Sequence, residues 1–167
     1  AEYIALRSLY ARARFKPDCI KIVLDGVPTD GHTAAMVEPY ADARYTDEAR
    51  AKGILMVPPQ VLAEAVTDFD RRGFTVKFHA AGDAAVRAGL DAIEAARRAN
   101  GYTGLLHDVG HNSFIQMSDV ARARGLGATF EMSPYIWFPN PIIPDIAKAI
   151  GAERMRRWIP VKDGIDA

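Results

Sequence analysis

Cysteine is nearly absent from this chain: Cys19 stands alone among 167 residues. One thiol cannot close an intrachain disulfide, so a stapled extracellular scaffold is excluded and a reducing, cytoplasmic setting is expected. Cys19 sits in an apolar, strand-like run, where a buried and inert thiol is expected rather than a nucleophile. Net charge is missing as well. Lys and Arg total 21 against 21 Asp and Glu, scattered rather than blocked, which leaves no basic stripe for nucleic acid and no polybasic patch for a membrane. No apolar run approaches the roughly 20 residues that cross a bilayer, and Ala1-Glu2-Tyr3 has neither a basic start nor an apolar signal core. An initiating Met is lacking too, so a processed or excised piece is expected. What remains is 49% apolar and 25% charged, the composition of a single globular domain over residues 1–167.

Along the chain, helical and strand signals alternate. Tyr3 to Phe15 has a helical stripe of Tyr3, Leu6, Leu9, Tyr10 and Ala13, ended by Pro17. Asp18 to Leu24 reads as a strand with Lys21 in its middle, closed by Asp25-Gly26. Periodicity then fails from Val27 to Val57, a long excursion of the kind that forms lids or binding loops. Pro59 to Arg72 is the next helix, Phe74 to His79 a strand, and Ala84 to Ala99 a helix closed by Asn100-Gly101. Strands over 104–109 and 127–132 enclose a short helix from Ser118 to Arg124, and Asp145–Ile150 and Ala152–Trp158 read as the last helices. Such alternation implies an α/β fold with a parallel sheet, whose strands deliver their carboxyl ends to one side.

That side gathers Asp25, His79, His111 and the Met132-Ser133-Pro134 segment. A histidine that ends a strand just before a helix stands where α/β proteins place their chemistry, and it also stands where a histidine can simply cap a strand by hydrogen bonding. Two such histidines, nearby acids and a lysine in an earlier strand offer the donors that zinc and related divalent ions take. The spacing of His79 and His111 matches one strand-helix repeat and no short metal motif, so two unrelated strand-end histidines stay open as an alternative. Tyr135, Trp137 and Phe138 follow a strand end, where an aromatic loop lines an apolar pocket or packs as a lid.

Several blocks resemble one family, in its order. Phe78-His79-Ala80-Ala81-Gly82-Asp83 is similar to the His-Ala-x-Gly-Asp segment of the amidohydrolase family 3 branch of the metal-dependent amidohydrolases. Lys21-Ile22-Val23-Leu24-Asp25-Gly26 is similar to its Lys-Ile-x-x-Asp-Gly strand, and Gly31-His32-Thr33-Ala34-Ala35-Met36 to the continuation of that strand. His107-Asp108-Val109-Gly110-His111-Asn112 resembles its His-x-x-Glu-His-Ala strand, and Met132-Ser133-Pro134-Tyr135 its Met-Gln-Pro turn. The resemblance implies a TIM-type (β/α) barrel with divalent metal, zinc above all, at the carboxyl ends of its strands. It also implies metal-activated water attacking a non-peptide carbon–nitrogen bond of a small molecule. Carried over, His79 and His111 are metal ligands of the fifth and sixth strands. Lys21 takes the place of a lysine that becomes an oxygen donor when carboxylated, and the three together are the candidate catalytic residues. Asp25 and Asp83 are expected to orient loops or a histidine nitrogen, His107 to pack or bond to backbone, and His32, Tyr135 and Trp137 to border the substrate.

The departures carry expectations of their own. Gly110 stands where the family has Glu, and Asn112 where it has Ala. No His-x-His pair occurs, and Asp163 and Asp166 follow no apolar strand, so the family's eighth-strand aspartate is not assigned to either. The chain is therefore expected to be an internal barrel segment, about strands four to seven with their helices. Two readings follow: a metal-dependent hydrolase in the intact parent, or an incomplete segment without activity of its own in a structural or assembly role. Exposed sheet edges imply association with a second copy or with the missing barrel segments.

Overall fold

The computed structural model describes residues 2–133, 136 and 138–166. Four strands, β1 (Cys19–Val23), β2 (Thr75–Ala80), β3 (His107–His111) and β4 (Ala128–Met132), form one parallel sheet in sequential order. Between and beyond them run α1 (Glu2–Ala5), α2 (Arg7–Tyr10), α3 (Glu48–Ala51), α4 (Pro59–Arg71), α5 (Asp83–Asn100), α6 (Met117–Leu126), α7 (Ile142–Ile150), α8 (Ala152–Met155) and α9 (Val161–Asp166). Each strand neighbours the next in the chain, as repeated right-handed strand-helix-strand units produce around a barrel wall. Among the described residues no helix is long and apolar enough to cross a membrane.

The two faces of the sheet differ because side chains alternate along a strand. Val76, Phe78 and Ala80 of β2 and Val109 of β3 are fully buried against Leu62 and Val66 of α4 and Val86, Leu90 and Ile93 of α5. The opposite face carries Lys21, Lys77, His79, Asp108 and Glu131 and is only partly covered. This polar face runs up to the carboxyl ends of the strands.

The long excursion folds over those ends. Met36 N–H donates to Lys52 O at 2.7 Å, Ala84 N–H to Ala35 O at 3.0 Å, and Met56 N–H returns to Leu24 O at 2.8 Å. A second apolar cluster of Ala34, Met36, Tyr40, Ala81, Phe114, Ile146, Ala149 and Ile150 fastens this loop to α7. Gly82 is required where the loop crosses, since a Cβ there would lie 2.0 Å from Ala35 O.

Three sequence expectations are corrected. The helix predicted over Tyr3–Phe15 is two short turns, α1 and α2, and Ala11 is already extended. Most of its described stripe stays uncovered: Leu6 is half-buried, Leu9, Tyr10 and Ala13 are exposed, as is Phe15 beyond them, and Arg7 is drawn off to Arg72 O and the Phe74 ring. Cys19 is exposed rather than buried, because it lies on the face of edge strand β1 that points away from the helices. The two last predicted helices have different bounds, with α7 starting at Ile142 rather than Asp145 and α8 stopping at Met155 rather than Trp158.

Candidate metal centre

His79, one residue from the end of β2, makes its ring contact through Nδ1, which lies 3.2 Å from Asp25 Oδ1. Asp25 is fully buried and also accepts the backbone N–H groups of Ala35 (3.0 Å), Ala81 (2.9 Å) and Gly82 (2.8 Å). Those donors surround the carboxylate, so Asp25 acts as an anchor for the strand ends and the loop, with one oxygen lent to the histidine.

His111 reaches the same place by another route. By alternation, the last residue of β3 belongs on the helix face with His107 and Val109. Its φ of 76° and the φ of 46° at Asn112 turn the chain instead, and the His111 ring comes to 4.3 Å, centroid to centroid, from that of His79. Asn112 secures the turn by donating from Nδ2 to Val109 O at 2.7 Å and Glu131 O at 3.1 Å. His111 Nδ1 lies 2.7 Å from Ser133 Oγ, which lies 3.2 Å from Glu131 Oε1. Burial, and then the neighbouring His79 and Lys21, press the His111 pKa below its ordinary value, which favours the neutral imidazole that ligates metal.

Lys21 stands level with Lys77 across β1 and β2. Burial, and then Lys77, lower its pKa, and among the described residues no carboxylate lies within ion-pair distance of its amine. Lys77 differs: Asp108 Oδ2 at 3.0 Å and Glu131 Oε2 at 3.1 Å hold it protonated, and its pKa is raised chiefly by the hydrogen bond to Asp108. Burial pushes Glu131 upward, but Lys77 and Ser133 outweigh it and leave that carboxyl below its usual range.

The other candidate positions are distributed more widely. Asp83 accepts Val37 N–H at 2.8 Å and a hydrogen bond from Gln116 Nε2, tying the long loop and α6 to the start of α5. His32 is not brought to the histidine pair; it is buried within the loop, stacked on Tyr40 at 4.0 Å with Nε2 2.8 Å from Asp42 Oδ1. His107 bonds to backbone, accepting Val76 N–H at Nδ1 (3.0 Å) and meeting Asp70 through Nε2 (3.0 Å). Tyr135 and Trp137 lie outside the described residues. Beside His79 and His111 is a cavity of 90 Å³ walled by Val27, Pro28, Ala81, Ser113, Ile136, Ile142 and Ile146. Sequence reasoning missed Lys77, Asp108 and Glu131, and it placed the Met132-Ser133-Pro134 segment at the strand ends without giving Ser133 a role. The period of two places Lys77 beside His79 and Glu131 beside Ser133, and that was the available signal.

As a donor set, the two imidazoles fit a divalent ion in part. Each has its Nδ1 engaged by an oxygen, the arrangement that leaves Nε2 for a metal. Among the described residues no three His, Cys, Asp or Glu side chains converge into a complete cage.

Comparison with solved structures gives this geometry a context. The chain resembles the crystal structure of an uncharacterized metal-dependent hydrolase from Pyrococcus furiosus, with a TM-score of 0.75 and 24% identity, covering 99% of this chain and 33% of that one. A second uncharacterized metal-dependent hydrolase, from Pyrococcus horikoshii OT3, gives a TM-score of 0.75 and 25% identity, with 99% and 32% covered. The chain thus spans about a third of the length of either structure. No curated protein matches it. The likeness identifies the four-stranded sheet and its helices as a sector of a TIM-type barrel. The model of the amidohydrolase family matches residues 3–167, and the chain belongs to that family.

Proposed function

We propose that the chain carries the fifth- and sixth-strand part of a metal centre in a hydrolase acting on non-peptide carbon–nitrogen bonds of small molecules. The observation that carries this reading is the His79–His111 pair, with ring centroids 4.3 Å apart and both Nδ1 atoms committed to oxygen partners. His79 and His111 would hold the ion through Nε2, and Lys21, if carboxylated, would add an oxygen donor. A lowered lysine pKa supports that role, because only the neutral amine takes up carbon dioxide. A bound divalent ion, zinc being the family's expectation, supplies Lewis acidity and lowers the pKa of water. Asp25 keeps the His79 ring in one orientation, and Asp83 keeps the long loop across the strand ends. The apolar wall of the neighbouring cavity excludes water from one side of the pair and favours a substrate with a small hydrocarbon portion.

A second reading, a barrel segment without activity of its own that associates with another copy or with further barrel strands, is favoured by the incomplete cage. Two imidazoles hold an ion more weakly than the three or four ligands of ordinary zinc sites. Metal analysis after dialysis tests the first reading. Zinc retained by the wild type and lost from His79→Ala and His111→Ala is the expected result. Equal zinc in all three proteins removes the pair as ligands. Zinc retention with no hydrolysis of amides, cyclic imides or carbamates leaves the second reading in place.

A further inference from the structure

The two imidazoles are oriented by different devices, and the device at His111 involves residues with no assigned role. At His79 a carboxylate meets Nδ1 directly. At His111 the partner of Nδ1 is a hydroxyl, Ser133 Oγ at 2.7 Å, and a hydroxyl can either donate or accept. The direction is fixed one atom further on. Glu131 Oε1 lies 3.2 Å from the same Oγ, and Glu131 Oε2 is 3.1 Å from the Lys77 ammonium. An ionised carboxylate only accepts, so the single Ser133 proton goes to Glu131. A lone pair of Oγ then faces His111, and His111 Nδ1 must carry the proton. The reverse direction would set Glu131 Oε1 against a serine lone pair with no proton between them.

Gly110 makes room for this arrangement. Gly110 and Glu131 are register partners on β3 and β4, and a Cβ at position 110 would lie 3.1 Å from Glu131 Oε2 and 2.9 Å from Phe78 O. The carboxylate occupies the space that a side chain on β3 would otherwise take. Ser133, two residues after Glu131, is itself buried, so water does not compete for its hydroxyl.

We infer that Glu131 and Ser133 are positioning residues: the chain Lys77–Glu131–Ser133 holds His111 in the tautomer protonated at Nδ1, with Gly110 providing the space, and leaves His111 Nε2 as the bare nitrogen. The consequence for metal rests on the function proposed above; the tautomer itself does not.

Long-range proton–nitrogen correlation NMR on the uniformly ¹⁵N-labelled chain, at mildly alkaline pH and without metal, reads the tautomer of each histidine directly. His111 is assigned by the signals missing from His111→Ala. The expected wild-type result is His111 protonated at Nδ1. Ser133→Ala and Glu131→Ala should move it toward protonation at Nε2. Ser133→Thr, which keeps the hydroxyl, and Glu131→Gln, which keeps an acceptor at Oε1, should restore the wild-type pattern. His79, held by Asp25, should stay unchanged in all four and so reports that each variant is folded. Wild-type His111 protonated at Nε2 overturns the inference, and that result needs no variant. So does an unaltered tautomer in both alanine variants. A zinc titration of the same samples separates the two readings: with the relay intact, Ser133→Ala should weaken binding roughly 10-fold or more. Wild type that shows the Nδ1 tautomer and binds no zinc overturns the metal assignment while the relay stands.

Discussion

Asp25 and His79 are joined at 3.2 Å through a carboxylate that is also the anchor for three backbone N–H groups, from Ala35, Ala81 and Gly82. The orientation of the imidazole is therefore not separable from the folding of the strand ends. The carboxylate sits where the chain needs a multiple acceptor, and the histidine takes the direction left over.

Replacing Asp25 tests that coupling. Asp25→Ala leaves three buried donors without partners, each costing about 1–3 kcal/mol, so a loss of several kcal/mol is expected in urea denaturation. Asp25→Asn keeps one acceptor oxygen and should cost clearly less, while freeing the His79 ring. A fold as stable as wild type in the alanine variant would show that the loop and strand ends do not depend on this carboxylate.

The same physics explains what was legible in the sequence. The run from Thr75 to Asp83 announced a strand, a turn and a helix, and the structure places β2 and α5 there, with the turn closed so tightly that Gly82 has Ala35 O against it. Strand ends on one side of a parallel sheet place His79 and His111 at one end of the sheet from distant positions, and the left-handed turn at His111 then brings the two rings together. The Ser133–His111 contact was not legible, because it depends on a left-handed turn at His111 that reverses the direction alternation assigns to the side chain. Nor were the exposure of Cys19 and the breakdown of the Tyr3–Phe15 stripe. Periodicity says which residues share a face, and only the packing order says whether that face is covered.

Gly82 and Gly125 should respond oppositely to the same substitution. Gly82→Ala forces a methyl to 2.0 Å from Ala35 O, an overpacking expected to cost about 3 kcal/mol or more. Gly125 lies within α6 with nothing within 4 Å of an added Cβ, and Gly125→Ala should stabilise by about 0.5–1 kcal/mol through helix propensity. Thermal melts of both variants beside wild type check the pair of signs.

Acid should weaken the fold in two stages, the first traced to burial of His107 and the second to its partner Asp70. Burial lowers the His107 pKa, outweighing the pull of Asp70. Such a histidine contributes stability that is full above the unfolded value of about 6.5 and is lost as pH falls below it. Burial works to raise Asp70, but hydrogen bonds from Asn100, Thr103 and His107 and the charge of Arg97 leave it net lowered. Its contribution is present above about 3.9 and disappears at lower pH. Urea midpoints measured from neutral pH downward should fall first below about 6.5 and again below about 4. His107→Gln should flatten the first stage and leave the second, although His111, also lowered by burial, keeps part of the first in place.

Lys77 lies between Asp108 at 3.0 Å and Glu131 at 3.1 Å on the polar face of the sheet. Its removal in Lys77→Met leaves two carboxylates facing one another without the cation that separates them. All three side chains are partly open to solvent, with relative exposures of 33%, 21% and 37%, so the attraction is screened and the expected loss is modest, about 1 kcal/mol. Salt supplies the control. Raising ionic strength shields both the wild-type attraction and the repulsion in the variant, so the stability gap between the two proteins should shrink as salt is added. The pH dependence has its own sign. Because the Lys77 pKa is raised in the folded chain, its stabilisation is complete below the unfolded lysine value of about 10.4 and is lost as pH climbs through the higher folded value. Wild type should therefore lose stability at strongly alkaline pH and converge on the variant there. Equal stability of the two proteins at low salt and neutral pH would mean that this bridge contributes nothing to the fold. Any effect of Lys77→Met on the His111 tautomer would then run through Glu131 alone.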